Sequence, residues 1–389
     1  MKDIDREKGE EKMKFLHLAD LHIGKRVNEF SMLEDQKYIL NKILSIIDKE
    51  EPEVILIAGD VYDKSIPAVE GITLFDEFLT GLHRRNKTVC IVSGNHDSAE
   101  RLNFAGNIIK EDGIYMAGVY KNPIDKVNLE DEYGKVTIYL LPFVKPAVVR
   151  KQYEAVESYH DAVKAVLEDT EIDSSERNVL ISHQFVINGT EMPEESDSET
   201  KSVGGLDYVD VSVFEKFDYV ALGHLHRAQK IKRETIRYAG SPLKYSFSEI
   251  RQKKSVVLVD LKEKGQTEVT LIPLKPLHEM REMKGSLREL LEAGRESENC
   301  EDYIHAILTD EEELYDPLGE LRAVYPNMMK LDFDNSRTRN ERELEFAQEE
   351  EQFNQPAELF ASFFEIQNGR KMTEQQEAYI RKFLEEEEQ

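Results

Sequence analysis

The stretch EVILIAGD, residues 53–60, decides the fold. Val54–Ala58 is an unbroken apolar run, and a strand with one wet face would alternate instead. The run therefore reads as a strand buried on both faces. It stops at Gly59-Asp60, where a residue without Cβ lets the chain turn sharply and a carboxylate follows. Charge directly beyond a buried strand is costly unless it is used.

The neighbouring segments repeat the design. Upstream, KFLHLAD (14–20) is a short apolar strand leading to Asp20-Leu21-His22. Between the two, residues 35–50 carry Ile39, Ile43, Leu44 and Ile47 at helical spacing. Downstream, residues 72–84 are again helical, and TVCIVSGNHD (88–97) is another buried strand, ending in Gly94-Asn95-His96-Asp97. This β-α-β-α-β rhythm predicts an α/β fold, a two-sheet sandwich flanked by helices. The middle of the chain adds strands VTIYLLPFV (136–144), NVLISHQ (178–184) and DYVALGHLH (218–226), with a helix near 153–168. IRYAGSP (236–242) and SVVLVDL (255–261) read as strands closing the second sheet. Residues 191–201 (EMPEESDSETK) are polar and acidic, which predicts a mobile loop at the rim of a site.

Pro273–Pro276 marks a boundary. Residues 13–274 form the main domain. Residues 275–335 show a strand-helix-strand-helix-strand rhythm of their own, a small α/β domain. Residues 336–389 are polar and helical, with Phe353, Phe360, Phe363, Phe364, Tyr379 and Phe383 suited to bury one helix face on a partner. Residues 1–12 are a charged run with no apolar period, a disordered extension.

Of 389 residues, 78 are acidic and 51 basic, a net charge of −27. That argues against an isolated basic nucleic-acid module but suits a site holding divalent cations. The two cysteines are far apart, and Cys90 lies in an apolar run, as a free buried thiol of a reducing compartment does. The N-terminus has no apolar signal segment, and no apolar stretch approaches the roughly 20 residues of a membrane span. The expected location is the cytoplasm.

Five strand ends carry the chemistry: Asp20-Leu21-His22, Gly59-Asp60, Gly94-Asn95-His96-Asp97, Ser182-His183-Gln184 and Gly223-His224-Leu225-His226. Ligands of open α/β sheets bind beyond the carboxyl ends of strands. Two carboxylates (Asp20, Asp60), four imidazoles (His22, His183, His224, His226) and the amide oxygen of Asn95 then converge. That donor set suits Mn²⁺, Fe²⁺ or Zn²⁺ rather than a thiolate zinc site. It exceeds one ion's needs and fits two ions sharing Asp60, which clamp a phosphate and generate a hydroxide for in-line attack. His96 is left over; it can protonate a leaving oxygen or steady developing charge. Asp97 either orients His96 or caps the following helix. Asp63 reads as capping a turn rather than contacting the site. Lys25, Arg26, Arg101, Arg227 and Lys244 adjoin these motifs and are candidate DNA contacts or solvated charges.

Taken together, these motifs resemble the calcineurin-like metallophosphoesterase superfamily over residues 14 to about 260. HLADLHIGK (17–25), LIAGDVYDKS (56–65), VSGNHDSAERL (92–102), ISHQFV (181–186), ALGHLHRAQ (221–229) and YAGSPLKYSFSE (238–249) are similar to the SbcD family in particular. The resemblance implies one manganese ion on Asp20, His22, Asp60 and His226. It implies a second on Asp60, Asn95, His183 and His224, with His96 as the catalytic histidine. It implies a DNA-capping small domain, C-terminal helices docked on the ATPase SbcC in a two-plus-two heterotetramer, and a homodimer through helices after the second and third motifs. The implied activity is DNA hydrolysis in repair and recombination, exonucleolytic on double-strand ends and endonucleolytic on hairpins and single strands. A competing expectation is a small-molecule or protein phosphoesterase of the same superfamily, and another is a non-catalytic scaffold.

Overall fold

A computed structural model describes residues 13–199 and 208–338, with Phe364, Met372, Thr373 and Gln376 beyond them. The expectations for residues 1–12, and nearly all of those for 336–389, lie outside the described residues. The chain forms two compact units, Met1–Met280 and Arg281–Gln389. The division falls after Met280 rather than after residue 274. Asp35 accounts for the difference: its carboxylate accepts the His278 main-chain N–H at 3.1 Å and faces His278 Nδ1 at 2.9 Å, fastening the segment to the first unit.

The first unit is two six-stranded sheets face to face. One runs in the order Thr267–Pro273, Ser255–Leu261, Met13–Leu18, Val54–Ala58, Thr88–Val92, Ile114–Ala117. Its last four strands are parallel. The other runs Gln229–Ile231, Arg233–Tyr238, Tyr219–Gly223, Arg177–His183, Gly134–Leu141, Asp125–Asp131, and its middle four are parallel. Phe15, Leu56, Cys90 and Val92 of the first sheet meet Ile138, Val179, Ile181 and Ala221 of the second in one apolar core. Burial on both sides explains the unbroken apolar runs.

Helices cover the outer faces. Leu33–Glu50 buries Ile39, Leu40, Ile43 and Ile47 and ends where Glu51 turns left-handed, φ 52°. Tyr159–Asp169 buries Ala162, Val163, Val166 and Leu167 on the second sheet. It begins later than the expected residue 153, because Ser158 and Asp161 form a capping box that fixes its first turn. A second correction concerns SVVLVDL. It closes the first sheet, not the second, pairing antiparallel with Met13–Leu18 so that Val259 lies opposite Phe15.

The second unit holds a three-stranded sheet, Met280–Gly285, Tyr303–Leu308 and Met328–Phe333 in that order, and helices Leu287–Arg295 and Pro317–Arg322. Leu287, Leu290, Ile304, Leu308, Leu321 and Tyr325 form its own core. No helix among the described residues is long and apolar enough to cross a membrane.

Candidate metal centre

Five parallel strands end at one place. Met13–Leu18, Val54–Ala58 and Thr88–Val92 deliver Asp20, His22, Asp60, Asn95 and His96 from the first sheet. Arg177–His183 and Tyr219–Gly223 deliver His183, His224 and His226 from the second. The backbone is strained to do so: Asp20 (φ 52°), His22 (φ 44°), Asp60 (φ 47°) and His224 (φ 116°) all lie in the left-handed region. Such conformations cost of order 1 kcal/mol or more in residues with a Cβ and gather at functional sites. Main-chain bonds hold them. Asp20 N donates to Gly59 O at 3.2 Å and His22 N to Asp60 O at 2.9 Å.

Close packing of backbone against ligand requires glycine at two turns. A Cβ on Gly94 would lie 2.0 Å from Asp60 Oδ1, and one on Gly223 would lie 1.8 Å from Ala58 O and 2.8 Å from His183 Nδ1.

Ligand-type atoms of Asp20, His22 and His226 lie within 4.8 Å of one another, as do those of Asp20, Asp60 and His183. Asp60 Oδ2 lies between the two groups, 3.6 Å from His22 Nε2 and 3.4 Å from His183 Nε2. Asn95 Oδ1 faces His183 Nε2 at 2.9 Å and His224 Nδ1 at 3.1 Å. All seven residues are buried or nearly so.

The donor set can be tested for a cation. His183 Nδ1 faces the Ala58 carbonyl at 2.9 Å. A carbonyl only accepts, so Nδ1 carries the hydrogen and the neutral ring's lone pair sits on Nε2. That lone pair points at Asn95 Oδ1 and Asp60 Oδ2, both electron-rich. Such a cluster is repulsive unless positive charge sits within it. Two divalent ions fit that requirement, and the oxygen and imidazole donors suit them. Without metal a proton substitutes: burial works against charging His183, but the neighbouring Asp60 carboxylate outweighs it and lifts the pKa to about 9. Asp20 is pushed well above the usual carboxylate range, by burial first, with His183 opposing. Its two oxygens accept the His224 main-chain N–H at 3.0 and 3.2 Å.

His96 sits half-buried beside this cluster, its ring 4.9 Å from that of His22 and perpendicular to it. Its Nδ1 faces the Asp63 carbonyl at 3.0 Å, which leaves Nε2 as the atom able to exchange a proton.

Comparison with known proteins now decides the family. The calcineurin-like phosphoesterase model matches residues 13–228, and the model described as type 5 capsule protein repressor C-terminal domain matches 276–368. The SbcD subunit of the nuclease SbcCD from Staphylococcus epidermidis is 36% identical over 333 residues, 83% of this chain and 87% of that protein. Its counterpart in Staphylococcus saprophyticus is 34% identical over 327 residues, covering 82% and 84%.

The chain belongs to the calcineurin-like phosphoesterase family, in its SbcD branch.

Several residues of this family member sit differently from the sequence reading. Asp97 does not cap the next helix, whose N-cap residue is Ser98. Its carboxylate accepts N–H groups of Gly94 (2.9 Å), Tyr62 (2.9 Å) and Val61 (3.2 Å), bracing the Asp60 turn against the Asn95 turn. Asp63 reaches the site. Its Oδ1 accepts from Lys25 Nζ at 2.8 Å and lies 3.8 Å from His22 Nδ1, an atom with no hydrogen-bond partner among the described residues.

The five basic candidates divide. Arg26 bonds the Glu29 carbonyl, Arg101 Nη1 reaches Ser65 O at 3.4 Å, and Arg227 pairs with Glu194; all three are exposed. Lys25 is tied to Asp63 at the site edge and lies 5.6 Å from the Tyr245 ring. Lys244 is mostly buried and bonded to Ile250 O (2.9 Å) and Glu279 (2.6 Å), the geometry of a structural brace.

The acidic loop also differs. Ser196 and Glu199 are buried, and Ser198 Oγ lies 2.7 Å from His226 Nδ1. Polar composition suggests a mobile rim, but these polar groups find partners inward. Only the YAGSPLKYSFSE stretch, which supplies Tyr245 and Glu249 behind His226, hints at such support. His17 is packed, as expected, with Nδ1 at 2.9 Å from Tyr219 Oη and Nε2 at 3.2 Å from Leu222 O.

Proposed function

We propose that this chain is the nuclease subunit of an SbcCD-type complex and hydrolyses DNA phosphodiesters at a two-metal centre. One observation carries the reading: Asp60 Oδ2 lies within 3.6 Å of His22 and 3.4 Å of His183, donors of two separate groups. Asp20, His22, Asp60 and His226 would hold one ion, and Asp60, Asn95, His183 and His224 the other, with Mn²⁺ the expected metal. When bound, the pair supplies positive charge for the phosphate and lowers the pKa of a water.

The chain's own groups do the rest. His96, with Nδ1 anchored on the Asp63 carbonyl, presents Nε2 to protonate the leaving oxygen. Asp97 keeps the Asp60 and Asn95 turns in register. Lys25, Arg26, Arg101 and Arg227 would meet the DNA backbone. Exonuclease action on double-strand ends and endonuclease action on hairpins, with an ATP-hydrolysing SbcC partner, follow from the relatives' name and the family resemblance.

A homodimer is supported by exposed Ile66, Val69 and Ile72 after the second motif and Phe104 and Ile108 after the third. Arg101, bonded to Ser65 O, links those segments. Residues 275–335 would cap the DNA, 336–389 would dock on the partner, and the cytoplasm is the expected compartment.

The test is cleavage of hairpin and blunt duplex DNA with Mn²⁺, ATP and the SbcC protein encoded by the same organism. Cleavage by wild type and its loss in His96→Ala support the reading. Rapid hydrolysis of a small phosphodiester with DNA left intact would transfer the chain to small-molecule chemistry.

A further inference from the structure

We propose that the loop Ser196–Glu199, together with Glu249 and Lys254, is a built-in clamp that orients His226 for its ion. The proposal rests on the reading of His226 as a metal ligand.

The hydrogen-bond directions are fixed by chemistry. Ser198 Oγ lies 2.5 Å from Glu249 Oε1 and 2.7 Å from His226 Nδ1. The carboxylate accepts, so the serine hydroxyl donates to it and its oxygen accepts from His226 Nδ1–H. The neutral imidazole then has its lone pair on Nε2, the atom facing His22 Nε2 at 3.0 Å. Glu249 is fully buried, and Lys254 Nζ donates to its other oxygen at 2.5 Å. The same ammonium holds the His226 carbonyl at 2.8 Å, and Glu199 Oε1 accepts the His226 main-chain N–H at 2.6 Å. Ring, N–H and carbonyl of this one residue are all gripped.

The loop is built for the task. Ser196 N donates to Glu199 Oε2 (2.9 Å), Gln252 Nε2 donates to Ser196 Oγ (3.0 Å) and Asp197 N to Ser248 Oγ (3.0 Å). Loop and YAGSPLKYSFSE stretch thus form one support on the far side of His226 from the cluster. Partners that orient ligating histidines typically change metal affinity by about 10–100-fold when removed. The clamp touches His226 alone among the seven ligands named, so only one of the two ions feels it directly.

The experiment is calorimetric titration of metal-free full-length protein with MnCl₂, on wild type, Ser198→Ala, Ser198→Thr, Glu249→Gln and His226→Ala. Selective ¹⁵N-histidine NMR reports the His226 tautomer in the same samples. Circular dichroism and melting curves check the fold. The clamp predicts that Ser198→Ala weakens one Mn²⁺ site by about 10–100-fold, leaves the other unchanged and raises the fraction of His226 protonated on Nε2. Ser198→Thr, which keeps the hydroxyl, should restore both. Glu249→Gln strands the Lys254 charge and can unfold the chain; Ser198→Ala deletes one hydroxyl and decides the matter alone. Wild-type Mn²⁺ affinity at both sites in Ser198→Ala, with His226→Ala losing one ion, overturns the clamp and spares the ligand reading. Wild-type binding in His226→Ala overturns the ligand reading itself.

Discussion

Asp60 Oδ2 lies 3.4 Å from His183 Nε2, across the gap between the two sheets. Asp60 follows the central strand of one sheet and His183 ends a central strand of the other. The site therefore exists only while the sheets are packed at their native separation. Site and core are one construction, and perturbations of the interface should read out at the metal centre.

Gly94 tests that link most sharply. The methyl group of Gly94→Ala would overlap Asp60 Oδ1 and lie 2.4 Å from Asp60 N. The shared carboxylate must move, and displacements near 1 Å at a reacting centre can cost about 10²-fold. We expect a folded protein with lowered Mn²⁺ occupancy, measured by elemental analysis, and a cleavage rate reduced by roughly that factor. Full occupancy with wild-type rate would show that the turn tolerates a Cβ.

His96→Ala should separate chemistry from metal binding. His96 is outside the ligand set, so Mn²⁺ affinity should stay as in wild type. Turnover should fall by about 10²–10⁴-fold, the usual contribution of a general acid or base. A matching loss of metal would instead make His96 a ligand.

The pH dependence of stability carries a contribution from His17. Burial, reinforced by the positive charge of Arg237, lowers its pKa from 6.5 to about 3. Between those values the unfolded chain binds a proton that the folded chain refuses. Stability from this group is therefore lost as pH falls from about 6.5 towards 3, with a slope of up to about 1.4 kcal/mol per pH unit. Urea unfolding of the metal-free protein at pH 6 and pH 5 should show a smaller decrease for His17→Gln than for wild type. An equal decrease in both would mean that His17 is charged in the folded state.

Much of this architecture is legible in the sequence. Val54–Ala58 and Thr88–Val92 announce themselves because strands wet on neither face have no polar residue to break the run. The ligand-bearing turns are legible because polar residues rarely follow such runs without use. What escapes sequence reading is long-range. Whether Ser255–Leu261 joins one sheet or the other depends on pairing with Met13–Leu18, nearly the whole domain away in sequence. Ser196 and Glu199 look solvated because their partners, Gln252 and His226, lie in distant segments. Asp63 passes for an ordinary cap because a carboxylate in a turn usually is one; only the fold brings its Oδ1 within 3.8 Å of His22.

The central claim is that Asp60 is shared by two metal ions. Titration of the metal-free chain with Mn²⁺, read by calorimetry and elemental analysis, tests it directly on wild type and Asp60→Ala. Two ions per chain in wild type, with both sites weakened in Asp60→Ala, is the predicted result. A single ion per chain at saturation, or one site of unchanged affinity in Asp60→Ala, would contradict it.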